Sequence, residues 1–136
     1  MRISTWNINS IRLRISSVIE FIKDFNIDVI CLQETKTENK YFPIKPFIDI
    51  GFFHFNYTGQ KSYNGVAILS KIPFLKKDIP NFCGVNDARH VSVEFDNKII
   101  IHNEISTLKF HTFIQRTLPL KATASWPVVW KGEFTY

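Results

Sequence analysis

The 136 residues are enough for one domain, and a composition that is 45% hydrophobic and 15% aromatic, with 13 Phe, excludes a disordered chain and supplies a real core. The formal charge of +5 and pI near 9.3 fit a polyanion partner without requiring one. No apolar run is long enough to span a membrane, and MRISTWNINS has no apolar leader, so a chain without signal peptide or membrane anchor is expected.

The first predicted element is a strand over 2–8, rich in β-branched and aromatic residues (Ile3, Thr5, Trp6, Ile8) and broken by Asn9-Ser10. A helix follows. Ser17 and Glu20 have the S-x-x-E spacing of a capping box, Ile15, Val18, Ile19, Ile22 and Phe25 share one helical face, and Asn26 is the expected stop. Residues 27–33 read as a strand buried on both faces, which makes a βαβ unit with parallel strands and a right-handed crossover. Residues 37–46, with two prolines, read as a loop with at most one short turn of helix. Strands are predicted at 52–57 and 65–70, and a short edge segment lies between Pro73 and Pro80. VSVEF and KIIIHN flank Asp96-Asn97, a two-residue hairpin signal. Beyond Asn103 neither period is clean: 104–136 holds two acidic residues and the aromatics Trp126, Trp130, Phe134 and Tyr136, and no element is assigned there.

Cys31 lies inside the buried run and Cys83 is far from it. Neither has metal-ligand spacing, so a reduced, cytoplasmic chain is expected. His54, His102 and His111 have no motif context and read as structural or exposed.

The two parallel strands end on the same edge, one in Asn7-Ile8-Asn9 and the other in Gln33-Glu34. In open α/β sheets ligands bind at strand carboxyl ends. Glu34 and Asn7 therefore converge at one rim. On pattern alone two readings stand. Glu34 reaches solvent and pairs with Lys36, or it serves Mg²⁺, which needs only one or two protein carboxylates beside phosphate oxygens.

Four segments in order, WNINSIRLR (6–14), DVICLQETK (28–36), GQKSYNGVAILSK (59–71) and DARHVSVEF (87–95), resemble the amino-terminal half of exonuclease III-type abasic-site endonucleases, members of the endonuclease/exonuclease/phosphatase superfamily. The resemblance covers residues 1–103 and leaves 104–136 as an unmatched tail, expected to be frameshifted or disordered. It implies an α/β (α+β) fold: half of a DNase-I-like four-layer α/β/β/α sandwich, with one mixed β-sheet and a helix packed on one face. It implies that Glu34 holds Mg²⁺ (or Mn²⁺) against a DNA phosphate, that Asn7 orients this group as an active-site asparagine, and that Asn9 stands beside the metal. It places Arg12, Tyr63, Arg89 and His90 on the DNA side. The partner implied is double-stranded DNA with abasic sites, in base-excision repair, with no membrane involved. As bare residues, Arg12 also reads as a solvated helix-entry charge, Tyr63 as a turn cap, and Arg89 and His90 as positions preceding a strand.

The resemblance stops after KIIIHN. EISTLKF lacks the family's active-site tyrosine segment, and the sequence has no Gly-Asp pair for the G-D-x-N motif and no Asp-His pair for the S-D-H terminus. The resemblance thus implies a truncated nuclease, inactive alone. It leaves one sheet of a two-sheet sandwich with a bare apolar face. Two alternatives remain. One is half of a split nuclease completed by a second-half polypeptide. The other is a non-catalytic DNA-binding module using Arg12, Lys61, Lys71 and Arg89.

Overall fold

In the computed structural model the described residues are 1–81, 84 and 87–105, with the backbone of two further strands at 110–116 and 128–130. Cys83, Trp126, Phe134 and Tyr136 lie outside them. Strand β1 (Ile3–Asn7) and strand β2 (Val29–Gln33) pair in parallel, Ile3 opposite Val29 and Asn7 opposite Gln33, with helix α1 (Ile11–Asp24) between them in sequence. The βαβ unit read from periodicity is present.

Helix α1 begins at Ile11, ahead of the S-x-x-E signal, so Ser17 and Glu20 sit inside the helix. The reason is tertiary. Ser10 N–H donates to the Glu34 carbonyl (2.8 Å) and Ile11 N–H to the Thr35 carbonyl (3.1 Å), so the loop after β2 satisfies the chain at the helix start. A capping box at Ser17 then has no orphan amide to serve. The end falls where Asn26 predicts it. Asn26 is left-handed (φ 49), Ile27 N–H reaches the Ile22 carbonyl (3.0 Å) and Asn26 N–H the Lys23 carbonyl (3.2 Å), a Schellman closure. Val18 and Ile22 are buried as expected. Phe21 takes the core position expected of Phe25, which is 49% exposed and packs on Phe21.

The loop over 37–46 carries a 3₁₀ turn (Asn39–Tyr41), and α2 (Lys45–Ile48) follows. Strands β3 (His54–Thr58) and β4 (Val66–Ser70) complete a mixed sheet in the order β3-β4-β2-β1-β9, where β9 (Val128–Trp130) lies parallel to β1. Helix α1 packs on one face of it through Trp6, Ile8, Ile11, Val18, Phe21, Ile22, Ile30 and Leu32.

A second sheet covers the other face. It runs β5 (Lys76–Asp78), β6 (His90–Glu94), β7 (Ile99–Ile105) and β8 (Phe110–Arg116), all antiparallel. Ile3, Val29, Cys31, Val66 and Ile68 of the first sheet pack against Val91, Val93, Phe95, Ile99 and Ile101 of the second. The apolar face expected to be bare is therefore buried. The mixed sheet with its helix stands as expected, and the strands after residue 75 form a partner layer. Alternation marks which residues of a strand face a core, but not which sheet the strand joins. The hairpin also differs in its turn. Lys98 N–H closes on the Phe95 carbonyl (3.1 Å) and Lys98 takes the left-handed conformation (φ 64), so the connection spans 95–98 rather than Asp96-Asn97 alone.

Two asparagines bind the sheets together. Asn103, fully buried, donates from Nδ2 to the carbonyls of Leu32 (2.9 Å) and Ala67 (3.0 Å) and accepts from Gln33 Nε2. Asn56 Nδ2 donates to the carbonyls of Asp78 (2.9 Å) and Ser92 (2.8 Å). A buried polar group left without its partner costs about 1–3 kcal/mol. Asn103→Ala is expected to lower unfolding free energy by about 3 kcal/mol in urea titration, well beyond the ~1 kcal/mol of Ile101→Val.

His90 is buried, and its Nε2 lies 3.1 Å from His102 Nδ1. One nitrogen must donate and the other accept, so the contact excludes two protonated rings. Burial, and then the His102 charge, push the His90 pKa below its ordinary 6.5, against the opposing pull of Glu104 and Asp78. The unfolded chain therefore binds the proton more readily than the folded one. This contribution to stability is intact above about pH 6.5 and is lost as pH falls toward the lowered value. The urea midpoint should drop as pH falls below about 6.5, and His90→Gln should flatten that slope.

Candidate functional site

The site starts from the parallel pair. Because β1 and β2 run in parallel, Asn7 and Gln33 end side by side and the chain leaves both strands on one rim. Gln33 turns inward, to Thr5 Oγ1 (2.8 Å) and to Asn103. Glu34 follows in a left-handed conformation (φ 53), which swings its carboxylate out of the strand's alternation. Asn7 Nδ2 donates to Glu34 Oε1 (2.9 Å), and Asn7 Oδ1 accepts from Asn9 N–H (3.2 Å). The convergence of Asn7, Asn9 and Glu34 is thus a set of named contacts.

The other carboxylate oxygen is also engaged. Lys36 Nζ lies 3.0 Å from Glu34 Oε2 and donates to Asn9 Oδ1. The Glu34–Lys36 pair of the simplest sequence reading is therefore present, in the same place as the proposed metal position. Its side chains are 23% and 30% exposed, and a pair so open to solvent contributes at most about 1 kcal/mol.

Backbone bonds between loops fix this rim. Asn9, Glu34, Lys36 and Asn64 all have positive φ (47, 53, 50 and 53). Thr35 N–H donates to the Gly65 carbonyl (3.0 Å), Lys36 N–H to the Asn64 carbonyl (2.9 Å) and Gly65 N–H to the Ala88 carbonyl (2.9 Å). Gly65 has no substitute here: its φ is +90, and a Cβ would stand 2.1 Å from Thr35 Oγ1. Asp87 extends the chain of contacts, accepting from Asn64 Nδ2 and pairing with Arg89 Nε.

Beside Lys36 opens a cleft of about 610 Å³ lined by Ser10, Arg12, Lys36, Glu38, Tyr41, Lys61 and Ser62 among others. Arg12 is exposed in the first turn of α1, and Tyr63, 58% exposed, follows Ser62 in sequence. Arg89 belongs to the loop tied through Asp87 to Asn64, with its guanidinium held by that carboxylate. His90 is directed elsewhere, buried on β6 against His102 in the second sheet. Lys71 is at the opposite end of the first sheet: it follows Ser70, which is paired with Val29 at the start of β2, and its ammonium sits over the Phe52 ring at 5.4 Å. Sequence reasoning assigned no role to Asp87 or Tyr41. Asp87 stood within a quoted motif, whereas nothing local marks Tyr41.

The donor set is hard: one carboxylate and one amide oxygen, with an ammonium already bridging them. That chemistry suits Mg²⁺ or Mn²⁺, which accept oxygen ligands and retain waters, better than a thiophilic metal. Among the described residues no three His, Cys, Asp or Glu side chains gather as a metal cluster. Among them also, no helix is long and apolar enough to cross a membrane.

Comparison with known proteins bears on the family and the fold. A family model described as the Endonuclease/Exonuclease/phosphatase family matches residues 4–130. An exodeoxyribonuclease of Bacillus subtilis is 27% identical over 109 residues, which are 74% of this chain and 41% of the relative. A 3′ phosphatase from Neisseria, solved bound to a product DNA hairpin, superimposes with TM-score 0.70 at 29% identity, over 75% of this chain and 40% of that one. An AP endonuclease from Archaeoglobus fulgidus gives TM-score 0.64 at 36% identity, over 69% and 37%. The chain thus spans about two fifths of the length of these relatives. With the family match running through β1, α1, β2 and the loops that carry Glu34, the chain belongs to the endonuclease/exonuclease/phosphatase family, in which it is similar to exodeoxyribonucleases and AP endonucleases.

Proposed function

We propose that this chain carries the metal-side half of a DNA phosphodiesterase site of the exonuclease III type, and that it does not cut DNA alone. The observation that carries the reading is the Glu34 carboxylate, held by Asn7 at the shared rim of two parallel strands and paired with Lys36, which lines a cleft with Arg12, Lys61 and Glu38. Glu34 and Asn9 would hold Mg²⁺ or Mn²⁺. The bound ion supplies Lewis-acid neutralisation of a phosphate oxygen. Asn7 fixes one carboxylate oxygen and leaves the other to the Lys36 ammonium. Arg12 and Lys61 attract the phosphate backbone, Tyr63 offers an exposed ring beside it, and Arg89 borders the same rim through Asp87. His90, being buried, would act on this loop as support rather than as a DNA contact.

Hydrolysis also needs a base to take a proton from water and donors for the developing charge. Among the described residues no three His, Cys, Asp or Glu side chains gather around Glu34 as a metal cluster. Those groups would come from a second-half polypeptide, within a longer chain or separate from it. The units proposed are a nuclease-like part over 1–103 and a segment over 104–136, which adds strands β8 and β9 to the sheets and does not supply the missing motifs. The substrate class is duplex DNA at abasic sites or 3′ ends, in a cytoplasmic repair setting. The buried free thiol of Cys31 fits a reducing compartment.

Purified chain with Mg²⁺ should leave an abasic duplex uncut. Adding the separately produced second half of a full-length relative should restore nicking, and Glu34→Gln should abolish the restored activity by about 10³-fold or more. Mg²⁺-dependent nicking by the chain alone, abolished in Glu34→Gln, would overturn the reading that it does not cut DNA alone, and restored nicking undiminished in Glu34→Gln would overturn the role of Glu34. Non-specific duplex binding should weaken with salt with a log–log slope near −2 to −3, and Arg12→Ala should reduce that slope by about 1.

A further inference from the structure

We infer that Lys36 is a built-in counter-cation of the metal position: its ammonium holds Glu34 Oε2 and Asn9 Oδ1 until a divalent ion displaces it into the adjoining cleft. The inference rests on the reading of Glu34 and Asn9 as the metal-holding oxygens, and assigns to Lys36 a role beyond it.

The geometry is specific. The ammonium stands 3.0 Å from Glu34 Oε2 and bonds to Asn9 Oδ1, while Asn7 Nδ2 occupies Glu34 Oε1 at 2.9 Å. Glu34 Oε2 and Asn9 Oδ1 are thus the pair of oxygens that the ammonium spans. A divalent ion bound to both oxygens would sit where Nζ now sits, so the two cations exclude one another. Their mutual repulsion at such a range enforces the exclusion. The backbone keeps Lys36 in place for this role. Its left-handed conformation (φ 50) follows that of Glu34 with Thr35 between them, and its N–H is tied to the Asn64 carbonyl at 2.9 Å. The side chain, by contrast, has a route out. Lys36 also lines the cleft that holds Arg12 and Lys61, so the displaced ammonium moves to a surface already suited to a phosphate backbone. Metal binding and delivery of a third cation to the cleft become one event, and each favours the other by linkage.

Mn²⁺ binding, read from the electron paramagnetic resonance signal of the free ion, tests this on the intact chain without any catalytic readout. Lys36→Met keeps the stem and removes the charge. It should bind Mn²⁺ about three- to fivefold more tightly than the wild type, the scale of a partly exposed ion pair removed from the competition. Glu34→Gln should abolish that binding in both backgrounds. Equal or weaker binding by Lys36→Met, with Glu34→Gln still abolishing it, overturns the displacement role and leaves the metal assignment standing. Binding that survives Glu34→Gln overturns the metal assignment and the displacement role together. A second readout needs no Lys36 variant. In reductively ¹³C-methylated protein, saturating Mg²⁺ should shift the Lys36 dimethylamine resonance in the wild type and leave it unmoved in Glu34→Gln. A Lys36 resonance indifferent to Mg²⁺ in the wild type would contradict displacement.

Discussion

The structure depends on the carbonyls of Glu34 and Thr35 accepting the amides of Ser10 and Ile11. These bonds, at 2.8 and 3.1 Å, join the end of β2 to the start of α1, two points that are 24 residues apart in sequence. They do three things at once. They give α1 its first turn without a side-chain cap. They oblige Glu34 to adopt a positive φ, a conformation that costs a non-glycine residue about 1–2 kcal/mol and needs such compensation. That conformation then turns the carboxylate toward Asn7 rather than along the strand. Strain at the rim is not incidental to the site. It sets the direction of the one carboxylate on which the proposed chemistry turns.

The rim is also tied to the sheet-on-sheet packing below it. Gln33, the residue before Glu34, shares the inter-sheet face with Val29 and Cys31 and is hydrogen-bonded to Asn103 of the second sheet. Asn103 in turn holds the carbonyls of Leu32 and Ala67 on neighbouring strands of the first sheet. An apolar interface alone would let two twisted sheets slide over one another at small cost. Directional bonds from a buried amide fix their register, because any slip would orphan three polar groups in a dry layer. The height of Glu34 above the sandwich is therefore set from beneath by Asn103 and from the side by Asn64 and Gly65.

Much of this was legible in the sequence. The β-branched and aromatic residues Ile3, Thr5, Trp6 and Ile8, the all-buried run before Gln33 and the helical face between them specify a βαβ unit. Parallel strands then force Asn7 and Glu34 onto one rim. Other features were hidden because their causes are distant. Ser17 and Glu20 carry a genuine capping pattern, but the helix starts earlier on carbonyls supplied by residues 34 and 35. The membership of β6 and β7 in a second sheet leaves no local trace, since inward-facing Val91 and Ile101 look the same in either sheet. His90 read as loop-facing beside Arg89, yet alternation from Val91 puts it on the outer face of β6, where it meets His102. Asp87 acquires its role only through Asn64, 23 residues before it.

One carboxylate paired with one ammonium is a nearly neutral group, and a neutral group at a half-exposed rim is stable without a metal. That balance lets the proposed half-site be held together by its own contacts. It also indicates what a completing half must bring. A divalent ion competing with Lys36 for Glu34 gains little from a single negative charge, because the ammonium already satisfies it and the ion must shed water to bind. Each further carboxylate brought to the rim raises the local negative charge past what one ammonium can neutralise. The preference then passes from Lys36 to the divalent ion. On the proposed reading, completing the protein therefore does more than add a base for water. It changes which cation Glu34 holds, and so decides whether Lys36 rests on the carboxylate or faces the phosphate backbone.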